Sequence, residues 1–167
     1  MAVVLVTGMS GTGKSAALVE LARRGHRVVD TDDGGYAVEV PSSDVGGSEQ
    51  LWREDRIHAL LDEHEKGVLF VSGCVANQGR FYPRFAAVVL LSAPAEVILE
   101  RVAARETNNF GKSEAERDRI LHDFATFEPL LRAGATAEID TRAQLDEVAD
   151  ALERIADAVA IRETPAS

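Results

Sequence analysis

Residues 8–15 read Gly-Met-Ser-Gly-Thr-Gly-Lys-Ser, a complete G-x-x-x-x-G-K-[ST] pattern. The apolar run Ala2-Val-Val-Leu-Val-Thr7 precedes it, and an amphipathic stretch with Leu18, Leu21 and Ala22 on one face follows, closed by Gly25. Strand, glycine loop and helix in that order leave few folds open, because such a loop works only between a strand end and a helix start. Gly8, Gly11 and Gly13 let backbone N–H groups converge on phosphate oxygens without side chains in the way. Thr12 and Ala16 complete the expected nucleotide contacts, and the helix points its positive end at the same anion. Lys14 can reach the β- and γ-phosphates, and the Ser15 hydroxyl suits Mg²⁺, a hard ion that prefers oxygen. The expectation is a protein that binds ATP or GTP with Mg²⁺.

Further apolar runs at 27–30, 68–72, 86–92 and 135–140 bring the expected strands to five. Val, Ile and Leu dominate several of them without clean alternation, which fits a parallel sheet covered on both faces. Helical spacing alternates with the strands. A helix is expected over 51–66 (Ile57, Leu60, Leu61, His64) and another over 94–105, opened by Pro94. A third over 114–132 starts at the capping box Ser113-Glu-Ala-Glu116 and would bury Ile120, Leu121, Phe124 and Phe127. The last, over 142–160, starts at a second box, Thr141-Arg-Ala-Gln144. Residues 1–160 read as one domain and 161–167 as a frayed tail. Two polar stretches interrupt the alternation. Residues 33–48 read as a long loop within an acceptor-binding segment, 33–66, and residues 106–113 as a lid over the nucleotide.

Composition removes several function classes. A net charge of −10 argues against duplex nucleic acid, which needs a broad basic surface. No apolar run approaches the roughly 20 residues that span a bilayer, and no basic leader precedes the first strand, so the expected location is the cytoplasm. The lone Cys74 cannot form an intramolecular disulfide and reads as a small buried hydrophobe. His26, His58, His64 and His122 show no metal-binding spacing.

What happens to the γ-phosphate turns on other residues. Asp30-Thr31-Asp32-Asp33 follows the second strand, and extended alternation sends Asp30 and Asp32 to one side. One carboxylate is suited to hold Mg²⁺, the other to orient or deprotonate an acceptor hydroxyl. In Trp52-Arg53-Glu54-Asp55-Arg56, Arg53 can grip an anionic group on the acceptor and Trp52 can wall the pocket. Gly73 permits close approach to the backbone, and Asn77, Gln78 and Arg80 are further acceptor candidates. Arg101 and Arg105 lie one turn apart beside the lid, placed to cover the nucleotide or neutralise phosphate charge.

Together these features resemble the small P-loop kinases, the group of nucleoside monophosphate kinases, shikimate kinase and gluconate kinase. The resemblance covers about residues 2–160 and implies a three-layer α/β P-loop NTPase fold. Its five-stranded parallel sheet would have the order 2-3-1-4-5, with helices on both faces and a short lid. Asp30-Thr-Asp32 is similar to the D-x-D of shikimate kinases, which implies a metal-holding Asp30 and an acceptor-binding Asp32. Trp52-Arg53-Glu54-Asp55 resembles their arginine segment, and Arg101-Val-Ala-Ala-Arg105 the R-x-x-x-R of adenylate kinases. Ile139-Asp140-Thr141 resembles the strand end that borders adenine, which implicates Thr141. The chain departs from both groups in its acceptor half. Cys74 and Val75 follow Gly73 where shikimate kinases carry glycines, Phe127 stands where they carry a second arginine, and no G-x-P-R is present. The expected activity is ATP-dependent phosphoryl transfer to a small hydroxylated or phosphorylated metabolite. A nucleoside monophosphate acceptor, or a regulatory NTPase without one, remains open.

Overall fold

The computed structural model describes residues 2–42, 47–104 and 114–163. Its main sheet is parallel and contains β1 (Ala2–Thr7), β2 (Arg27–Asp30), β5 (Val68–Ser72), β6 (Ala87–Ser92) and β7 (Ala137–Asp140), in the order β2-β5-β1-β6-β7. Numbered by themselves, these five strands have the expected order 2-3-1-4-5. β1 is central and wholly buried, pairing Leu5 with Val71 on one side and with Val88 on the other. Its alternation feeds two cores. Val4 and Val6 pack with Leu18 and Leu21 of α1 (Lys14–Arg23) and with Leu152 of α5 (Leu145–Glu163). Val3 and Leu5 face Ile57, Leu60 and Leu61 of α2 (Glu54–Glu63), with Trp52 and Phe81. Burial on both faces is why β1, β5 and β6 read as unbroken apolar runs.

A smaller cluster joins Ile98 and Val102 of α3 (Ala95–Ala103) to Ile120 and Phe124 of α4 (Glu114–Gly134). Pro94 caps α3 from outside, its carbonyl accepting from the N–H groups of Val97 and Ile98.

The structure corrects the sequence reading in five places. Residues 33–48 are not one irregular loop. They contain β3 (Ala37–Pro41), which pairs antiparallel with β4 (Ser48–Trp52). Ala37 lies opposite Trp52 and packs with it on the second core, so tertiary burial at one end of the hairpin organises a segment whose Pro and Gly content reads as loop. The helix expected from residue 51 therefore starts at Glu54 and stops at Glu63. His64 lies beyond it, buried, accepting from Arg27 at 3.2 Å and donating to the Gly67 carbonyl at 3.1 Å.

α4 also differs from expectation. Leu121 is 39% and Phe127 48% exposed, whereas Glu128 is buried. Arg132 donates to Glu128 at 2.8 Å and to Glu138 of β7 at 2.7 Å, and this charged pairing sets the face of α4 that turns inward. Thr141 does not cap α5, which starts at Leu145; Gln144 precedes it and donates its N–H to Glu147 Oε2 at 3.3 Å. Finally, α5 continues to Glu163, so helix extends into the expected tail. The expected lid and the Ser113 cap lie outside the described residues.

Candidate functional site

The phosphate loop spans the step from Thr7 at the end of β1 to Lys14 at the start of α1. Gly8 has φ +155°, and a Cβ there would stand 2.5 Å from the Leu91 carbonyl oxygen and 2.7 Å from Thr12 Oγ1, so no side chain fits. Gly13 turns the chain through the left-handed region (φ +96°) directly into α1. Thr12 pins the loop internally, its hydroxyl donating to the Met9 carbonyl at 2.8 Å. Gly11 is buried against Ile98 and Val102 of α3, while Ser15 and Ala16 are exposed on the first turn. That turn carries no acidic residue, leaving the positive end of the helix uncompensated by side chains. Lys14 Nζ folds back over the loop, donating to the carbonyls of Gly8 at 2.5 Å and Met9 at 3.1 Å.

β2 delivers the carboxylates to this loop. Thr31 turns inward, buried, and its hydroxyl donates to the Ser72 carbonyl at 2.7 Å. Its neighbours lie on the open side. Ser15 donates to Asp30 Oδ2 at 3.3 Å, and Asp32 N–H donates to Asp30 Oδ1 at 3.0 Å. Desolvation and the nearby Asp30 charge push the Asp32 carboxyl above its usual range, against the pull of Lys14. Ser15 and Asp30 therefore offer adjacent hard oxygens beside the phosphate loop, a donor set that fits Mg²⁺. Cys74 completes this corner. Burial pushes its thiol up, against the Lys14 charge and hydrogen bonds with Thr7 and the Gly8 backbone.

On the nucleotide side, Arg101 is committed to protein. It donates to the Gly11 carbonyl at 3.2 Å, to Thr141 Oγ1 at 2.9 Å and to the Thr141 carbonyl at 2.7 Å. It thus ties the phosphate loop to the end of β7, and Thr141 is held at the same time by the Ser92 carbonyl. Asp140 beside it pairs with Arg142 at 2.6 Å, which lowers its carboxyl. Arg105 lies outside the described residues.

On the acceptor side, the sequence candidates separate into floor and rim. Trp52 is 2% exposed and donates Nε1–H to Thr31 Oγ1 at 2.9 Å. Gly73 is needed for this packing: a Cβ there would fall 2.5 Å from Thr31 Oγ1 and 2.9 Å from Trp52 Cζ2. Both residues support the floor instead of presenting a surface to a ligand, a correction to the sequence reading. Arg53 precedes α2 with its side chain exposed, and its N–H donates to the Tyr36 carbonyl at 2.7 Å. Among the described residues its guanidinium has no hydrogen-bond or ion-pair partner. Arg80 pairs with Glu54 at 2.9 Å and lines an open groove of about 380 Å³ with Glu49, Leu51, Ala76, Asn77 and Gly79. Asn77 and Gln78 point into the protein and bond to it, also contrary to expectation.

Sequence reading missed Thr31, whose signal was present: an inward position between two outward carboxylates. It also missed Tyr82, whose hydroxyl accepts from Gln78 at 2.9 Å and which nothing in the pattern singles out. Among the described residues no group of three or more His, Cys, Asp or Glu side chains is placed to hold a metal by itself, and no helix is long and apolar enough to cross a membrane.

Comparison with known proteins bears on the fold and the family. HPr kinase/phosphorylase of Bacillus mycoides (strain KBAB4) is 39% identical over 82 residues, 46% of this chain. The chain spans about a quarter of the length of the curated relatives it matches. Among solved structures, shikimate kinase from Acinetobacter baumannii in complex with shikimate superposes with a TM-score of 0.61 at 18% identity, covering 98% of this chain and 95% of that one. A gluconokinase from Sinorhizobium meliloti 1021 gives 0.59 at 18% identity, covering 98% of each chain. At these identities the superpositions establish the fold, which is shikimate kinase-like. A family model described as AAA domain matches residues 4–122, from β1 through the phosphate loop into α4, and the chain belongs to that family.

Proposed function

We propose that the protein is an ATP- and Mg²⁺-dependent kinase that phosphorylates a small hydroxylated or phosphorylated metabolite. The observation that carries this reading is the corner made by Lys14, Ser15, Asp30 and Asp32. A metal-suited oxygen pair and a second, proton-hungry carboxyl meet at one phosphate-binding lysine. Phosphoryl transfer asks a protein mainly for positioning and for charge neutralisation. The loop backbone from Gly8 to Ser15 and the start of α1 would cradle the phosphates, with Lys14 exchanging the Gly8 and Met9 carbonyls for phosphate oxygens. Ser15 and Asp30 would hold Mg²⁺, which when bound neutralises charge on the phosphates. Asp32, with its raised affinity for a proton, would accept the proton of the attacking hydroxyl. Arg53 would anchor an anionic group on the acceptor. Arg101 would keep the nucleotide end of the site in register through Thr141.

The test is ADP release with Mg-ATP across sugar acids, polyols, nucleosides and nucleoside monophosphates, with Lys14→Ala as the blank. Stimulation by one chemical group supports the reading and names the acceptor class. Stimulation by nucleoside monophosphates alone would make it a nucleoside monophosphate kinase. Tight ATP binding with no stimulation by any compound would reject small-molecule transfer and favour a regulatory NTPase. The likeness to HPr kinase/phosphorylase over the first part of the chain makes HPr a useful member of the same panel.

A further inference from the structure

The loop after β5 carries two consecutive amides whose hydrogen-bonding groups are directed into the protein. Asn77 Oδ1 accepts from the Trp52 N–H at 2.8 Å, and Asn77 Nδ2 donates to the Trp52 carbonyl at 3.0 Å. One side chain thereby imitates the backbone of a neighbouring strand along the outer edge of β4. The Ala76 N–H extends this pairing with a bond to the Gln50 carbonyl at 3.0 Å. Gln78 turns the other way. It is 3% exposed, and its Oε1 accepts from the Val75 N–H at 2.9 Å. Its Nε2 donates to Thr7 Oγ1 and to the Tyr82 hydroxyl, both at 2.9 Å. Thr7 is fully buried and joined directly to Gly8, the first residue of the phosphate loop. Three separate pieces of chain are therefore linked through neighbouring side chains: the β3–β4 hairpin, the turn at Gly73–Val75 and the end of β1. A buried amide with three partners holds one geometry, because any rotation strands a polar group without water.

We propose that Asn77 and Gln78 form a positioning bracket that fixes the acceptor hairpin at a set distance from the phosphate loop, so that the rate of phosphoryl transfer depends on them while nucleotide affinity does not. This rests on the kinase reading above. In-line transfer requires reacting atoms about 3–3.5 Å apart, and a displacement of about 1 Å costs on the order of 100-fold in rate. Nucleotide phosphates would be held mostly by loop backbone, which Gln78 does not contact beyond Thr7. Asp32 and Arg53 lie on the stretch that leads into and out of the hairpin, so a hairpin released from β1 moves the acceptor and leaves the nucleotide in place.

Gln78→Met keeps the length of the side chain and removes its hydrogen bonds. Gln78→Glu keeps an acceptor for the Val75 N–H and removes the donors to Thr7 and Tyr82. Asn77→Asp keeps the acceptor for Trp52 N–H and loses the donor to its carbonyl. Each variant is compared with the wild-type protein in four measurements: Mg-ATP affinity, ADP release with the acceptor panel, thermal midpoint, and amide hydrogen exchange at Trp52 and Ala76. For Gln78→Met, kcat with the acceptor should fall roughly 10- to 100-fold, ATP affinity should stay within about twofold, and both amides should exchange faster. Gln78→Glu and Asn77→Asp should show the same pattern with smaller losses. Unchanged exchange at Trp52 and Ala76 overturns the bracket, whatever the acceptor. So does an unchanged kcat, or a loss of ATP affinity and thermal midpoint in step with kcat across all three variants, which marks a folding role. Wild-type protein that releases no ADP with any acceptor rejects the kinase reading and the bracket together. Active wild-type protein with equally active Gln78→Met rejects the bracket alone.

Discussion

The two sides of the site are built from different materials. The phosphate side is mostly backbone: Gly8 wedged under Leu91, Gly13 turning into α1, and the open first turn of that helix. The side proposed to take an acceptor is mostly side chains on an inserted hairpin, with Trp52 buried beneath it, Arg53 at the start of α2 and two amides bonded to the hairpin and to β1. Under the proposed function the difference follows from what each side would bind. A triphosphate is the same in every nucleotide, so one backbone geometry serves a whole superfamily. An acceptor differs from enzyme to enzyme, and only side chains can encode the difference.

Several substitutions would break or sharpen that contrast. The largest loss is expected for Asp32→Asn, whose turnover with a stimulating acceptor should fall about 10²- to 10⁴-fold while Mg-ATP affinity, measured by equilibrium binding, changes little. Lys14→Ala should cost about 10²- to 10³-fold in turnover and weaken Mg-ATP as well, because the lysine serves the phosphate side itself. Arg53→Ala should raise KM for an anionic acceptor about tenfold or more and leave KM for ATP unchanged. An unchanged acceptor KM would remove Arg53 from the acceptor side.

Smaller effects read the packing. Gly73→Ala pushes a methyl against Thr31 Oγ1 and Trp52, and should lower stability by about 1–3 kcal/mol in denaturant unfolding. Trp52 is the single tryptophan of the chain, so its emission reports the disturbance of the floor directly.

The smallest effect concerns pH. Partial desolvation of the solvent-facing Asp32 and the nearby Asp30 charge favour its protonated form, so its folded pKa lies above the unfolded value. The stabilising contribution of such a group is complete below the ordinary aspartate pKa of about 3.9 and is lost as pH rises through the folded value. At neutral pH the ionised carboxylate therefore burdens the fold. Asp32→Asn should melt about 1–3 °C higher than wild type at pH 7, with the gap closing as pH falls toward 4. A lower midpoint at pH 7 would mean that Lys14 and the local hydrogen bonds outweigh desolvation at this position.

How far the sequence reached can be judged residue by residue. The central strands β1, β5 and β6 were legible because they are buried on both faces and so carry continuous apolar runs, while the order of the five strands came from the resemblance to small P-loop kinases. The phosphate loop was legible because three glycines, a lysine and a serine at fixed spacing satisfy one backbone geometry. The hairpin was not, since its residues have low strand propensity, and Pro41, Ser42, Gly46 and Gly47 read as breakers. It forms because Trp52 and Ala37 bury one end and Asn77 pairs the outer edge of β4 from 25 residues away. Residue type also misled in α4, where Leu121 and Phe127 read as core residues yet are exposed, while Glu128, one turn after Phe124, is buried. The buried Glu128 carboxylate is paired by Arg132 of α4, which also bonds Glu138 of β7 and so ties this part of the helix to the sheet edge.

The sequence by itself determined the elements whose stability is local or repetitive: the buried strands, most of the helices and the glycine loop, each specified by residues close together along the chain. Only the tertiary structure decided which polar side chains face a ligand and which are spent on the protein. Trp52, Gly73, Asn77 and Gln78 all read as acceptor contacts, and in the structure all of them pack on or bond to the protein itself. The physical reason is that a hydrogen-bonding group looks the same in sequence whether its partner is substrate or backbone. The partner is chosen by distance in space, and for these residues it comes from β1, β2 or β4, fixed only when the whole sheet has assembled.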